Sequence, residues 1–140
     1  MPRVDAAREL LAPREDVWAF LAEPHHLSDW WPGLAAVQPD RRGLAPGARW
    51  QVHGTNRPSL FRRPSPAGML LVLVVEPLER VAFHLTGERL DAEIRLRATA
   101  PDRTAVTLTV TGPWLIGLSK SFPRKALARL HALCQTAAEI

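Results

Sequence analysis

The chain of 140 residues contains no tyrosine, one cysteine, two methionines and only two lysines, Lys120 and Lys125. A single thiol, Cys134, cannot form an internal disulfide, and a Cys-rich metal framework is excluded with it. Long hydrophobic runs are also missing. The longest apolar stretch, "GMLLVLVV" at 68–75, is far too short to cross a bilayer. The opening stretch, "MPRVDAARELLAPRED", carries charge throughout and lacks the apolar core of a secretory signal, so the expected location is the cytoplasm. No glycine-rich phosphate loop, HExxH or GxSxG is present, which argues against nucleotide binding, a zinc-protease site and a hydrolase serine. The expectation is no metal and no cofactor. Basic residues exceed acidic ones to give a net charge of +4, mostly through arginine. No basic run is interleaved with aromatics, so nucleic acid is not an expected partner.

Apolar residues make up 46% of the chain and charged residues 23%, a globular balance, and the length suits one domain, 1–140, with a full hydrophobic core. A first strand is expected over 3–11. In "APREDVWAFLAEP", Val17, Phe20 and Leu21 share a helical face, and Glu15 and Asp16 sit favourably near its positive end. A second short helix runs through "PHHLSDWW" and closes on Pro32-Gly33. After residue 34 the apolar period changes from helical to two. Strands are expected over 34–40, 48–54, 69–77, 80–86, 89–98 and 104–112. In "RLDAEIRLRA", Leu90, Ala92, Ile94 and Leu96 alternate with Asp91, Glu93, Arg95 and Arg97. In "TAVTLTVTG", Val106, Leu108 and Val110 alternate with threonines. This is the pattern of an antiparallel sheet with one wet and one covered face. The strand at 69–77 is apolar on both sides and predicts a cover on both, or an interface. The stretch 55–68, with three prolines and paired arginines, reads as a long loop. The final segment, 121–140, is amphipathic, with Ala126, Leu127, Leu130, Leu133 and Cys134 on one stripe, and supplies the cover for the sheet. Residues 113–120 read as an earlier helical turn.

The adjacent tryptophans of "LSDWWPGL" cannot face the same way on a helix or a strand. One ring is expected to plug the core and the other to wall a pocket.

The order of elements, and the stretches "APREDVWAFLAEPHHLSDWWPGLAAV", "GLAPGARWQVHG" and "VVEPLERVAFHL" together with the terminal helix, resembles the SRPBCC superfamily. This group contains START-related lipid-transfer domains, pollen-allergen-like proteins and polyketide cyclase/dehydratase-like proteins. The resemblance implies an α+β helix-grip fold: a curved antiparallel sheet of six to seven strands wrapped around a long C-terminal helix, with two short helices after the first strand. It also implies an apolar cavity between sheet and terminal helix. The candidate wall is Trp31, Trp50, Phe83, Trp114, Phe122, Leu127 and Leu130, since apolar pockets are lined mainly by such side chains. The expected activity is binding or transport of a hydrophobic or amphipathic, lipid- or polyketide-like molecule.

Two other readings stay open. A cyclase- or dehydratase-like enzyme would use His84 or His53, the histidines on strands, with an arginine to polarise a carbonyl. The lack of tyrosine removes a common phenolic acid from that chemistry. A protein-interaction or co-chaperone role, or a homodimer, would use the doubly apolar strand. Glu76 reads as a strand-end charge or a polar group at the cavity rim. Arg57, Arg62 and Arg63 stand ready to meet an anionic head group. No residue qualifies as a nucleophile, and Cys134 reads as a small buried hydrophobe.

Overall fold

The computed structural model describes residues 3–32, 34–54, 68–86, 89–112 and 121–138. Seven strands and three helices run in the order β1 (Arg3–Leu10), α1 (Arg14–Ala22), α2 (Leu27–Trp30), β2 (Leu34–Gln38), β3 (Arg49–Gly54), β4 (Gly68–Glu76), β5 (Arg80–Leu85), β6 (Leu90–Ala100), β7 (Arg103–Thr111) and α3 (Ser121–Ala138). A single 3-10 turn, Pro24–His26, joins α1 to α2. The strands form one curved antiparallel sheet in the order β1-β7-β6-β5-β4-β3-β2. This is the helix-grip architecture expected from the sequence.

The connectivity explains where the helices lie. β1 occupies one edge of the sheet and β2 the other. The segment between them must therefore cross the whole inner face, and α1 and α2 are that crossing. Pro13 precedes α1 in an extended conformation, and its carbonyl accepts from the amides of Asp16 (3.0 Å) and Val17 (3.1 Å). Glu15 and Asp16 stand in the first turn, where the helix end favours negative charge. The crossing is pinned at its start by Thr104 of β7. This threonine is fully buried, and its hydroxyl donates to the Ala12 carbonyl at 2.9 Å.

The two-residue period sorts the sheet as expected. Leu90, Ala92, Ile94 and Leu96 of β6 and Val106, Leu108 and Val110 of β7 are buried. Val81, Phe83 and Leu85 of β5 and Trp50 and Val52 of β3 join them. Residue pairing keeps these on one face, with Ala92 opposite both Phe83 and Val110 and Ile94 opposite both Val81 and Leu108. The outer face carries ion pairs: Arg80 to Glu76 at 2.8 Å, Arg80 to Glu93 at 3.4 Å, and Arg95 to Glu93. Glu76 is thus a strand-end charge on the wet side. Exposed pairs of this kind contribute ~0–1 kcal/mol each.

β4 departs from the expectation of cover on both sides. Its pairing with β5 shifts between Val72 and Val74, and the extra residue, Leu73, is 51% exposed. The bulge lets Leu70 and Val72 stay inward while Val75 faces Val81 further along. The following turn has Pro77 at its second position and Leu78 at its third with φ +66, a type II arrangement closed by Glu79 N–H to Glu76 C=O at 2.9 Å.

α3 packs chiefly against β1 and α2, and less on β7. Ala126, Leu127, Leu130 and Cys134 are buried along it, as its stripe predicts. Among the described residues no helix is long and apolar enough to cross a membrane.

Candidate functional site

The paired tryptophans organise the interior. Trp30 is the last residue of α2, while Trp31 caps it in an extended conformation (φ −83, ψ 116), its amide donating to the Leu27 carbonyl at 2.8 Å. The change of backbone between them lets two neighbouring rings both bury, at 2% and 1% exposure. The Trp31 ring makes edge contacts with three aromatics: Trp30 at 5.7 Å between centroids, Phe83 of β5 at 5.3 Å and Phe122 of α3 at 5.2 Å. It is the one point where α2, the sheet and the terminal helix meet through aromatic rings among the described residues.

Beside this cluster lies an interior cavity of about 20 Å³. Its floor comes from β3 to β6 through Trp50, Leu70, Val72, Val81, Phe83 and Ile94. Its roof comes from Leu21 of α1, Leu27 and Trp30 of α2, and Leu44 of the β2–β3 loop. Each of these side chains is apolar apart from the indole N–H groups. The space accommodates about one water by volume.

The loop that carries Leu44 is tied down along its length. Asp40 accepts from the Arg42 amide at 3.0 Å and the Arg49 amide at 2.9 Å. Gly47, at φ +86, donates to the Val72 carbonyl at 2.8 Å, and Trp50 Nε1 donates to the Gly43 carbonyl at 2.9 Å. The Arg49 amide, with the Arg42 amide and guanidinium, holds the Asp40 carboxyl below its ordinary value. The anchoring is therefore complete above about pH 4 and is lost as the pH falls through the lowered value. Leu44 is half-buried, which puts this loop at the outer margin of the cavity.

Of the expected wall, Trp50 and Phe83 line the cavity directly, Trp31 reaches it through Trp30 and Phe83, and Phe122 touches only Trp31 in turn. Leu127 and Leu130 are buried on α3, on the side of the interior that faces β1 and α2. Trp114, the loop arginines Arg57, Arg62 and Arg63, and the turn at 113–120 lie outside the described residues. Trp30 was not in the expected wall but lines the cavity. The sequence signal for it, the Trp-Trp adjacency, cannot say which ring does which.

The histidines stand elsewhere. His84 is on the outer face, with Nδ1 2.9 Å from the Asp91 carboxylate. His53 is exposed and pairs across the sheet with Ala36. His26 sits 3.0 Å from Asp29 and packs edge-on against Phe20. None of the five lines the described cavity. Among the described residues no cluster of three His, Cys, Asp or Glu is placed to hold a metal ion. Larger hollows, of about 400 and 880 Å³, open to solvent and are edged by ion-paired side chains such as Glu93, Arg95 and Arg80.

Residues 1–135 match the family described as polyketide cyclase / dehydrase and lipid transport. The chain belongs to that family. Solved structures share the polyketide cyclase/dehydrase-like fold. One is protein NE0264 of Nitrosomonas europaea, 19% identical with a TM-score of 0.73, covering 99% of this chain and 97% of that one. Another is DynU16, from the dynemicin biosynthetic locus, at 20% identity and TM-score 0.69 over 96% of this chain and 48% of its own. The third is the di-domain ARO/CYC protein BexL of the BE-7585A biosynthetic pathway, at 17% and 0.71 over 94% of this chain and 46% of its own. The chain thus spans about half the length of the last two. A search among curated proteins finds none that matches.

Within this member of the cyclase/dehydrase family, Cys134 is a free thiol buried on α3. Burial, with the Asp16 carboxylate adding to it, pushes the thiol up to about 11. The shift leaves stability at its full value below the ordinary thiol value of 9.0, where the group is protonated in both states, and stability is lost as the pH rises from there through the raised value. The native protein at pH 8 should therefore react with a disulfide reagent such as DTNB roughly a hundredfold more slowly than the denatured chain. Equal rates in stopped-flow absorbance would show the thiol to be accessible and ionised.

Proposed function

We propose that the protein binds an apolar or amphipathic small molecule, lipid- or polyketide-like, in the interior between sheet and helices. Trp31, Trp50, Phe83, Phe122, Leu127 and Leu130 supply the apolar surroundings, with Trp114 as a further candidate. The observation that carries this reading is the apolar cavity on β3–β6, ringed by aromatic side chains and closed by a tethered loop. At about 20 Å³ it admits a ligand only when its walls part, and the half-buried Leu44 loop is the segment placed to lift. The driving force is removal of ligand surface from water, ~25 cal/mol per Å² before the costs of ordering. The family description, which names lipid transport beside cyclase and dehydrase, is consistent with it.

Binding is favoured over cyclase-type catalysis by the character of the described lining. It holds no titratable side chain, and His53 and His84 lie on the opposite face. The test is titration with the neutral fluorophore N-phenyl-1-naphthylamine, following tryptophan emission, alongside mass spectrometry of an organic extract of the purified protein. Saturable quenching with a micromolar or tighter Kd is expected. No quenching across chemically diverse apolar probes, with no extracted compound, would overturn the proposal.

A further inference from the structure

We infer that the outer face of β4 is where a second copy of this chain docks, centred on Leu73. The doubly apolar strand is the sequence feature that the interior leaves unexplained. Leu70 and Val72 are buried and Val75 packs against the core, so one side of β4 faces the interior. The other side carries Leu71 and Val74, both half-buried, and Leu73, 51% exposed. The bulge between Val72 and Val74 supplies the extra outward residue. Leu73 shares an open hollow with Ala82, Asp91, Glu93 and Thr109, which fixes the side it faces. With Ala82 of β5, which pairs with Val74, these residues form an apolar stripe on a sheet face that is otherwise charged or hydroxylated over β6 and β7.

The charges on either side of the stripe say what covers it. Toward β3 stand Arg49, which pairs with Leu71, and the Arg42 guanidinium, which donates to the Gly47 carbonyl at 3.3 Å. Toward β6 stand Asp91, in the row of Leu71 and His84, and Glu93, in the row of Val74 and Ala82. A basic flank and an acidic flank on opposite sides of an apolar stripe are complementary to themselves. A two-fold axis running along β4 packs stripe on stripe and lays β3 of each copy over β5 and β6 of the other, so that Arg49 meets Asp91 twice. An axis across the strands instead lays β6 on β6 and brings Glu93 over its own copy, which like charge disfavours. Sheets packed face to face stand about 10 Å apart, within reach of an arginine and an aspartate on opposing faces. The stretch from β3 to β7 offers roughly 500 Å² on each copy, from about 4.8 Å between strands and about 3.3 Å per residue. The two together reach the roughly 1,000 Å² that a specific interface needs and fall short of an obligate one, so the association is reversible and in the micromolar range.

Sedimentation velocity of the full chain, from about 1 to 500 µM, should show a monomer passing to a dimer. Leu73→Glu should weaken the association at least about tenfold, with circular dichroism showing an unchanged fold because the side chain is exposed. Leu11→Glu, at the other exposed leucine among the described residues, should leave it within about twofold. Arg49→Glu should weaken the dimer about five- to tenfold, and adding Asp91→Arg should restore most of that loss. In the unmutated chain the 13C-methyl resonances of Leu73 and Val74 should shift with concentration while those of Leu11 stay in place, a reading that needs no variant to fold. A chain that is monomeric at every concentration overturns the inference and leaves the stripe to a protein of another kind. A dimer that Leu73→Glu leaves intact, or that Leu11→Glu breaks, overturns it as well. Failure of the charge exchange to restore the dimer overturns the axis along β4.

Discussion

Replacing Trp31 by alanine should cost ~3–5 kcal/mol of folding stability, the range for deleting a fully buried aromatic side chain. Its ring is 1% exposed and touches Trp30, Phe83 and Phe122, so removal opens a void at the junction of α2, β5 and α3. Aromatic edge contacts add ~0.5–1.5 kcal/mol each beyond the area they bury. Trp31→Phe keeps part of this and should lose roughly half as much. Trp18, half-buried on α1, provides the contrast, and Trp18→Ala should lose less. Urea denaturation followed by circular dichroism measures all three. A Trp31→Ala midpoint matching that of Trp18→Ala would show that the aromatic cluster does not join the layers.

The second large effect is expected at Leu130. This side chain is fully buried on α3, the helix that packs on β1 and α2. Leu130→Glu places a carboxylate where the described surroundings are apolar. The penalty of an unpaired buried charge is several kcal/mol, a large fraction of the ~5–15 kcal/mol that holds a domain together. The variant should lose its cooperative unfolding transition at pH 7, with near-ultraviolet circular dichroism collapsing and a hydrophobic dye binding. Protonation removes the charge, so part of the transition should return as the pH falls toward 5. Ala132→Glu, two positions along on the exposed side of the same helix, should change stability by no more than ~0.5 kcal/mol. Equal behaviour of the two variants would mean that α3 is not docked through its stripe.

Much of this architecture can be read in the chain before any coordinates. β6 and β7 announce themselves because strict alternation over many residues has one solution, a sheet wet on one side. α3 announces itself through leucines at helical spacing. The placement of His53 and His84 away from the interior also follows from parity with Trp50 and Phe83. β4 shows where such reading stops. "MLLVLVV" has no polar residue to mark a phase, so the bulge that expels Leu73 leaves no trace in the pattern.

The candidate site is divided in the same way. That aromatic side chains gather inside was evident from their positions on inward faces. That Trp30 rather than Trp31 lines the cavity depended on one backbone change at the end of a four-residue helix. Pro32 disfavours the helical region for the residue before it and so accounts for the extended Trp31, but which of the two rings then meets the cavity is set by packing against the sheet.

The sequence by itself determined the order of the elements, the buried faces of all but β4 and the family to which they belong, because periodicity and composition are local properties that each segment carries alone. Only the tertiary structure decided which faces meet. It set the α1–α2 crossing over β3–β6 and α3 toward β1, and left a small apolar cavity beneath the crossing. Those outcomes depend on how a curved sheet with β1 and β2 at opposite edges is covered, a constraint that exists only once distant segments pack together.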